Sequence, residues 1–254
     1  MIMPWIDLAV TGMFAAPDGS FPLSRHPLLI SIRDVNRVVP QLLLPAMGVI
    51  LFVHAFIQGI NWLPRPHRAL FVLGVYAIGS GLVVSVLKEI VERARPGDTT
   101  VFGGTAPYTI PWQLADACER NCSFSSGEAG SAAALMSVVV LAPAPLRPML
   151  FLLLLPAAIT FSLLRVAFGR HFLSDVFVSW LLIAIVAVLL WRWFKANEGK
   201  IDRAIVGSGL PIARAADRVF RVSAAIRAVL RARAVYQPAL TVAVHRAMSW
   251  PRRR

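Results

Sequence analysis

The chain has 254 residues, 57% hydrophobic and 15% charged, with a net charge of +13. Its long apolar runs exceed what the core of a soluble domain of this size needs, which argues against an ordinary soluble protein. The positive charge does not point to nucleic acid, since no DNA- or RNA-binding motif accompanies it. Twelve Lys or Arg against three Asp or Glu instead collect after Ala196, as in a positive-inside flank near anionic lipid.

Residues 1–37 read as an N-terminal interfacial segment or a degenerate first helix. Met1–Ala16 is apolar but short, and Asp7 is costly in hydrocarbon. It lacks the basic start of a cleaved signal peptide. The core, residues 38–195, carries five spans near the 17–25 residues that a bilayer requires. They run from about Val38 to Ile60, Ala69 to Leu87, Gly127 to Ala142, Met149 to Leu164 and Val176 to Phe194. The third is rich in Ala, Ser and Gly, which suits an inner helix that neighbours approach closely. Pro156 in the fourth is tolerated in a membrane helix. Trp180, Trp191 and Trp193 mark the ends of the fifth. The expected fold class is therefore an all-α, multi-span membrane helix bundle.

Residues 196–254 form a basic tail, expected in the cytoplasm. Its apolar and Arg periodicity, as in Val219-Phe220-Arg221-Val222 and 225–231, fits either amphipathic helices on the inner leaflet or a solvated extension. With the tail inside, the connections 17–37, 88–126 and 165–175 fall on the outer face. Lys88, Arg93, Arg95, Arg165 and Arg170 gather in two of them, and such a cluster calls for an anion.

Three patches carry chemistry. In Lys88-Glu89-Ile90-Val91-Glu92-Arg93-Ala94-Arg95-Pro96, two cations seven apart share a face if the helix continues. They can then hold separate oxygens of one phosphate. A snorkelling helix end with Glu92 paired to Lys88 is the plain alternative. In Ser125-Ser126-Gly127-Glu128, Ser125 and Glu128 fit a capping box. The same helix start offers Ser126 and the Gly127 N–H to an anion. In Arg165-Val166-Ala167-Phe168-Gly169-Arg170-His171-Phe172-Leu173-Ser174-Asp175, His171 and Asp175 stand one above the other on a helix. A carboxylate there fixes the imidazole tautomer and frees the other nitrogen to attack. Cys118 and Cys122 lie in the connection between the first two patches and can pair in an oxidising compartment. No His or further Cys stands near them to complete a zinc set.

Lys-x6-Arg-Pro, then Ser-Gly, then Arg-x5-His-x3-Asp resembles the type 2 phosphatidic acid phosphatase superfamily of membrane lipid phosphatases. The matching residues are Lys88, Arg95, Pro96, Ser126, Gly127, Arg165, His171 and Asp175. The resemblance implies that His171 attacks phosphorus and carries the phosphoryl group while Asp175 orients it. Lys88, Arg95 and Arg165 would bind nonbridging oxygens, with Ser126 and Gly127 as added donors. It implies no metal and no other cofactor. Two positions depart from the family pattern. Glu128 stands where a general-acid His is usual, and can serve if protonated, although nearby cations oppose that. Leu164 replaces a Ser before Arg165.

The resemblance further implies a lipid phosphate substrate. Lipid A phosphate and undecaprenyl pyrophosphate weigh equally, and phosphatidic acid and phosphatidylglycerophosphate are further candidates. The setting would be a bacterial inner membrane with the site facing the periplasm. The rival reading is a non-catalytic lipid-phosphate-binding or transport protein, to which charged groups at span ends are also suited.

Overall fold

The computed structural model describes residues 4–218 together with 221, 223 and 224. It is built from helices, and no strand occurs among the described residues. A short α1 (Pro4–Gly12) precedes α2 (Pro27–Phe56). The next rod comprises α3 (Pro66–Gly74), a π-helical stretch (Val75–Val83) and α4 (Val84–Val91). After a long irregular connection come α5 (Gly127–Leu135), α6 (Arg147–Ala167), α7 (Leu173–Ala196) and α8 (Glu198–Ile205).

Four helical segments are long and apolar enough to cross a membrane: Pro27–Phe56, Pro66–Asp98, Ala144–Ala167 and Leu173–Ala196. With these spans the protein is an integral membrane protein. The fifth expected span, Gly127–Leu141, is shorter, and its last six residues are 3-10 helix. It makes up for its length by its place. Ala129, Ala132, Ala133 and Ala134 are buried in the bundle, where α5 packs on α6, α7 and the π-helical stretch. Small side chains set that approach. A Cβ on Gly130 would come within 3.3 Å of Val84 Cγ2, and one on Gly79 within 2.7 Å of Ile183 Cδ1. The outer helices keep large apolar side chains exposed, as at Leu42, Leu152 and Leu181, the pattern of surfaces solvated by lipid.

The two ends of the bundle differ. At one end lie the start of α2, the end of α4 and the starts of α5 and α7. At the other, α8 is clamped to the start of α3, where Asp202 accepts from the His67 N–H at 2.9 Å and lies 3.0 Å from its Nδ1. The chain after α8 returns to the end of α2 through Gly207 N–H to His54 O (3.0 Å) and Gly209 N–H to Ala55 O (2.9 Å). The helical reading of the tail holds for residues 210–218. Its continuation over 225–231 and the terminal arginines lie outside the described residues.

Two expectations change here. The first long helix begins eleven residues earlier than its apolar run, at Pro27 rather than Val38, so Arg33, Asp34 and Arg37 belong to it. Asp7 was expected to hold the first segment at the interface. It is instead buried within the bundle, 3% exposed, because a buried cation and a helix N-terminus receive it.

Candidate active site

A polar cleft of about 490 Å³ opens at the end of the bundle where α4 stops and α5 and α7 begin. Lys88, Arg95, Gly127, Glu128, Arg165 and His171 line it. The sequence patches, up to 83 residues apart from Lys88 to His171, thus meet around one space.

Each patch arrives by its own local rule. α4 ends at Val91, and Glu92 takes a left-handed conformation (φ 48°) that turns the chain. The continuous helix from Lys88 to Arg95 therefore does not form. Arg95 is extended, with Pro96 behind it. The connection that follows supports the two cations by Asn121. Its carbonyl accepts from Arg95 Nε at 2.9 Å, and its side-chain oxygen lies 3.5 Å from Lys88 Nζ. Cys118 and Cys122 form a disulfide around that residue, with Cα atoms 5.6 Å apart.

The cap of α5 is shifted by one residue from the expected box. Ser126, not Ser125, is the cap, and its hydroxyl accepts from the Ala129 N–H at 3.3 Å. Ser126 is fully buried and does not line the cleft, so of the expected donor pair only Gly127 faces a ligand. The Ser125 hydroxyl is buried without a partner among the described residues.

His171 is 2% exposed and lies in the turn between α6 and α7. Its Nδ1 is 2.6 Å from the Ser123 carbonyl, which can only accept, so Nδ1 carries the proton and Nε2 keeps its lone pair. Burial, and then the positive charge of Arg165, Lys88 and Arg95, hold the imidazole well below its ordinary value of 6.5. The ring is therefore neutral at physiological pH, with the Nε2 lone pair unprotonated. Asp175 was expected to hold Nδ1 directly, but its Oδ2 is 4.0 Å away. It acts one step further out. Oδ2 accepts from the Ser123 hydroxyl at 2.5 Å and from the Phe172 N–H at 2.9 Å. The carboxylate thereby fixes both the residue whose carbonyl orients His171 and the chain beside the ring.

Behind Asp175 stands Arg93, which is fully buried. One Nη donates to Asp175 Oδ1 at 2.6 Å and the other to Asp7 Oδ2 at 3.0 Å. Nε donates to the Thr109 carbonyl at 2.9 Å, and the guanidinium lies 4.2 Å from the Phe172 ring centroid. Asp7 also accepts from the Ser174 N–H (2.8 Å) and hydroxyl. The sequence reading counted Arg93 among the cations of the outer anion cluster, but it is buried behind the cleft with two carboxylates; Asp7, Ser123 and Ser174 were not assigned to the site. The one available signal was Asp7 itself, an acid in an apolar segment that needs a buried partner.

Arg165, 6% exposed, faces Glu128 across the cleft, with Nη1 3.3 Å from Oε2. Neither Arg165 Nε nor Glu128 Oε2 has a hydrogen-bond partner among the described residues. Such atoms are rare in a settled interior and are satisfied by a ligand or water. A tetrahedral oxyanion fits here. Arg165, Arg95, Lys88 and the Gly127 N–H converge on the cleft, and His171 lies at its wall.

The PAP2 superfamily model matches residues 69–198, just over half of the chain and all three patches. This chain belongs to the PAP2 superfamily. The lipid A 4'-phosphatase of Rhizobium leguminosarum is 39% identical over 135 residues, 53% of this PAP2 chain and 58% of that relative. The protein of the same name from Rhizobium etli is 40% identical over 127 residues, 50% and 49% of the two chains. That from Francisella tularensis subsp. novicida is 33% identical over 112 residues, 43% and 50%. The chain thus spans about half the length of the curated relatives it matches. Among solved structures, the PAP2 type phosphatidylglycerolphosphate phosphatase from Bacillus subtilis matches 76% of this chain and 94% of its own. The identity is 21% and the TM-score 0.46.

Proposed function

We propose that this PAP2 protein is a phosphatase that removes a phosphate monoester from a lipid headgroup. The observation that carries the reading is His171, with Nδ1 tied to a carbonyl and its ring set against three cations in one cleft. Nε2 attacks phosphorus, the bond to the lipid oxygen breaks, and a phosphohistidine forms. Water then attacks phosphorus, the P–N bond breaks and inorganic phosphate leaves. Lys88, Arg95 and Arg165 offset the charge on the equatorial oxygens in both steps. Displaced from Arg165 by the substrate phosphate, Glu128 takes up a proton, gives it to the departing lipid oxygen and takes one back from the attacking water.

Among the lipid phosphates considered, the lipid A class is favoured over prenyl pyrophosphate by the names of the relatives. The cleft lies at the end opposite α8, where the basic tail begins, which supports a periplasmic site and a cytoplasmic tail in a bacterial inner membrane.

Phosphate release from lipid A, undecaprenyl pyrophosphate and phosphatidic acid in mixed micelles tests the reading. Lipid A is expected to be turned over fastest, and His171→Asn to lose at least about 10³-fold in kcat. Full turnover by His171→Asn would sink the mechanism. The Glu128–Arg165 contact favours a second reading, a non-catalytic lipid-phosphate binder whose own carboxylate partly fills the anion site. That protein would bind these lipids and release phosphate from none.

A further inference from the structure

The cleft holds more positive charge than one phosphate uses. Beside Lys88, Arg95 and Arg165, its wall includes Arg33, Arg37 and Arg170. With Glu128 paired to Arg165 the catalytic trio carries two net positive charges, and with Glu128 protonated it carries three. Either is enough for one phosphate monoester, about −1.5 to −2 near neutral pH. The second trio also has one acid against it. Arg33 donates to Asp34 through Nε (3.0 Å) and Nη2 (2.6 Å). Arg37 and Arg170 make no ion pair with a carboxylate among the described residues. Two net positive charges again remain.

Their arrangement is unfavourable without a counter-ion. Arg33 and Arg37 are four apart on α2, where like charges repel. Arg170 adds a third cation from the α6–α7 turn, one residue before His171. All three line the same open polar cleft as His171, Arg33 half-buried and Arg37 and Arg170 exposed at its mouth. Arg33 and Arg37 also lie outside residues 69–198, the segment matched by the family model.

We infer that Arg33, Arg37 and Arg170 form a second anion subsite that takes another phosphate-class group while the first sits at His171. Two sources present that chemistry: a second phosphate on the same lipid headgroup, or the headgroup of a neighbouring anionic lipid. In naming a substrate with two phosphates the inference rests on the phosphatase reading, but the subsite itself does not require turnover.

Inorganic phosphate is therefore the first probe, titrated into the purified full chain in neutral maltoside micelles. Wild type is expected to bind two phosphates and Arg37→Ala/Arg170→Ala one. One phosphate in wild type, or two in the variant, overturns the subsite. Two bound phosphates in a protein that hydrolyses no lipid leave the subsite standing and remove the phosphatase reading. Hydrolysis with a single bound phosphate does the reverse.

Kinetics then assign the source. With lipid A disaccharides bearing one or two phosphates, the double variant is expected to raise KM for the two-phosphate form at least tenfold. The rise for the one-phosphate form should be several-fold smaller. If that difference persists when phosphatidylglycerol is added to the micelles, the second anion belongs to the substrate. If it vanishes, a neighbouring headgroup fills the subsite. Equal KM changes for the two forms in neutral micelles refute a second anion on the substrate.

Discussion

His171 and Arg93 show how single side chains divide the work at the site. The proposed attack by His171 requires a neutral imidazole, and its burial among cations supplies that condition. The acid limb of kcat/KM is therefore expected below pH 6.5, and a limb at or above 6.5 would contradict it. The same shift bears on stability. An unfolded chain protonates this imidazole near 6.5 and the folded chain resists, so stability is fully present above 6.5 and falls as pH drops below it. Arg93 has no contact with the cleft, yet it joins Asp7 to Asp175 in the interior. Arg93→Ala leaves two buried carboxylates without their partner and is expected to cost about 3–5 kcal/mol. Thermal unfolding in detergent reads that loss. Glu128→Gln asks a different question at the same scale. A drop of about 10²–10⁴-fold in kcat marks proton transfer, whereas unchanged turnover restricts Glu128 to balancing Arg165. Reading residues in sequence identified His171, Asp175, Lys88, Arg95 and Arg165, because motif spacing carries them. It did not reach the Ser123 carbonyl, since any residue offers a backbone oxygen and only the fold brings that one to Nδ1.

The elements of the bundle have unequal duties, and α5 has the most constrained one. It lies inside the others, and its alanines and Gly130 leave no room for larger groups. Ala132→Leu is expected to destabilise by about 1–3 kcal/mol through overpacking. A lipid-facing exchange such as Leu152→Ala should cost far less, and comparable losses in thermal unfolding would place α5 elsewhere. The composition of α5 signalled an inner helix, and that was legible because small residues have few other uses in a run. The start of α2 was not legible from hydropathy. Charged residues at 33, 34 and 37 interrupt the apolar run, while the helix itself continues through them to Pro27. The end of α4 was missed for the converse reason. Helix periodicity allows Lys88 and Arg95 to align, but the left-handed turn at Glu92 breaks it. The connection after α4 holds only two short 3-10 turns, Pro96–Asp98 and Thr100–Phe102, yet its Cys118–Cys122 loop steadies Asn121 against both cations. Reduction by dithiothreitol, or Cys118→Ser/Cys122→Ser, is expected to lower kcat/KM for the lipid. No change under either treatment would free the loop from that duty.

At the scale of the whole molecule, the bundle separates two polar ends. One gathers cations around His171, and the other clasps α8 and the residues just after it to α3 and the end of α2. That polarity predicts sidedness. A cysteine introduced at Lys200, on α8, should react with an impermeant maleimide in inverted membrane vesicles and not in right-side-out spheroplasts. The opposite result would invert the proposed orientation. The disulfide then acquires a meaning beyond steadying a loop. Cytosolic thiol chemistry keeps cysteines reduced, and an oxidising compartment lets them join. A newly made chain on the side rich in soluble phosphate esters would hold its two cations without their brace. In the proposed orientation the bond would close only after the loop has crossed the bilayer. The protein would thus carry a latency of its own, silent where it is synthesised and competent only at its address.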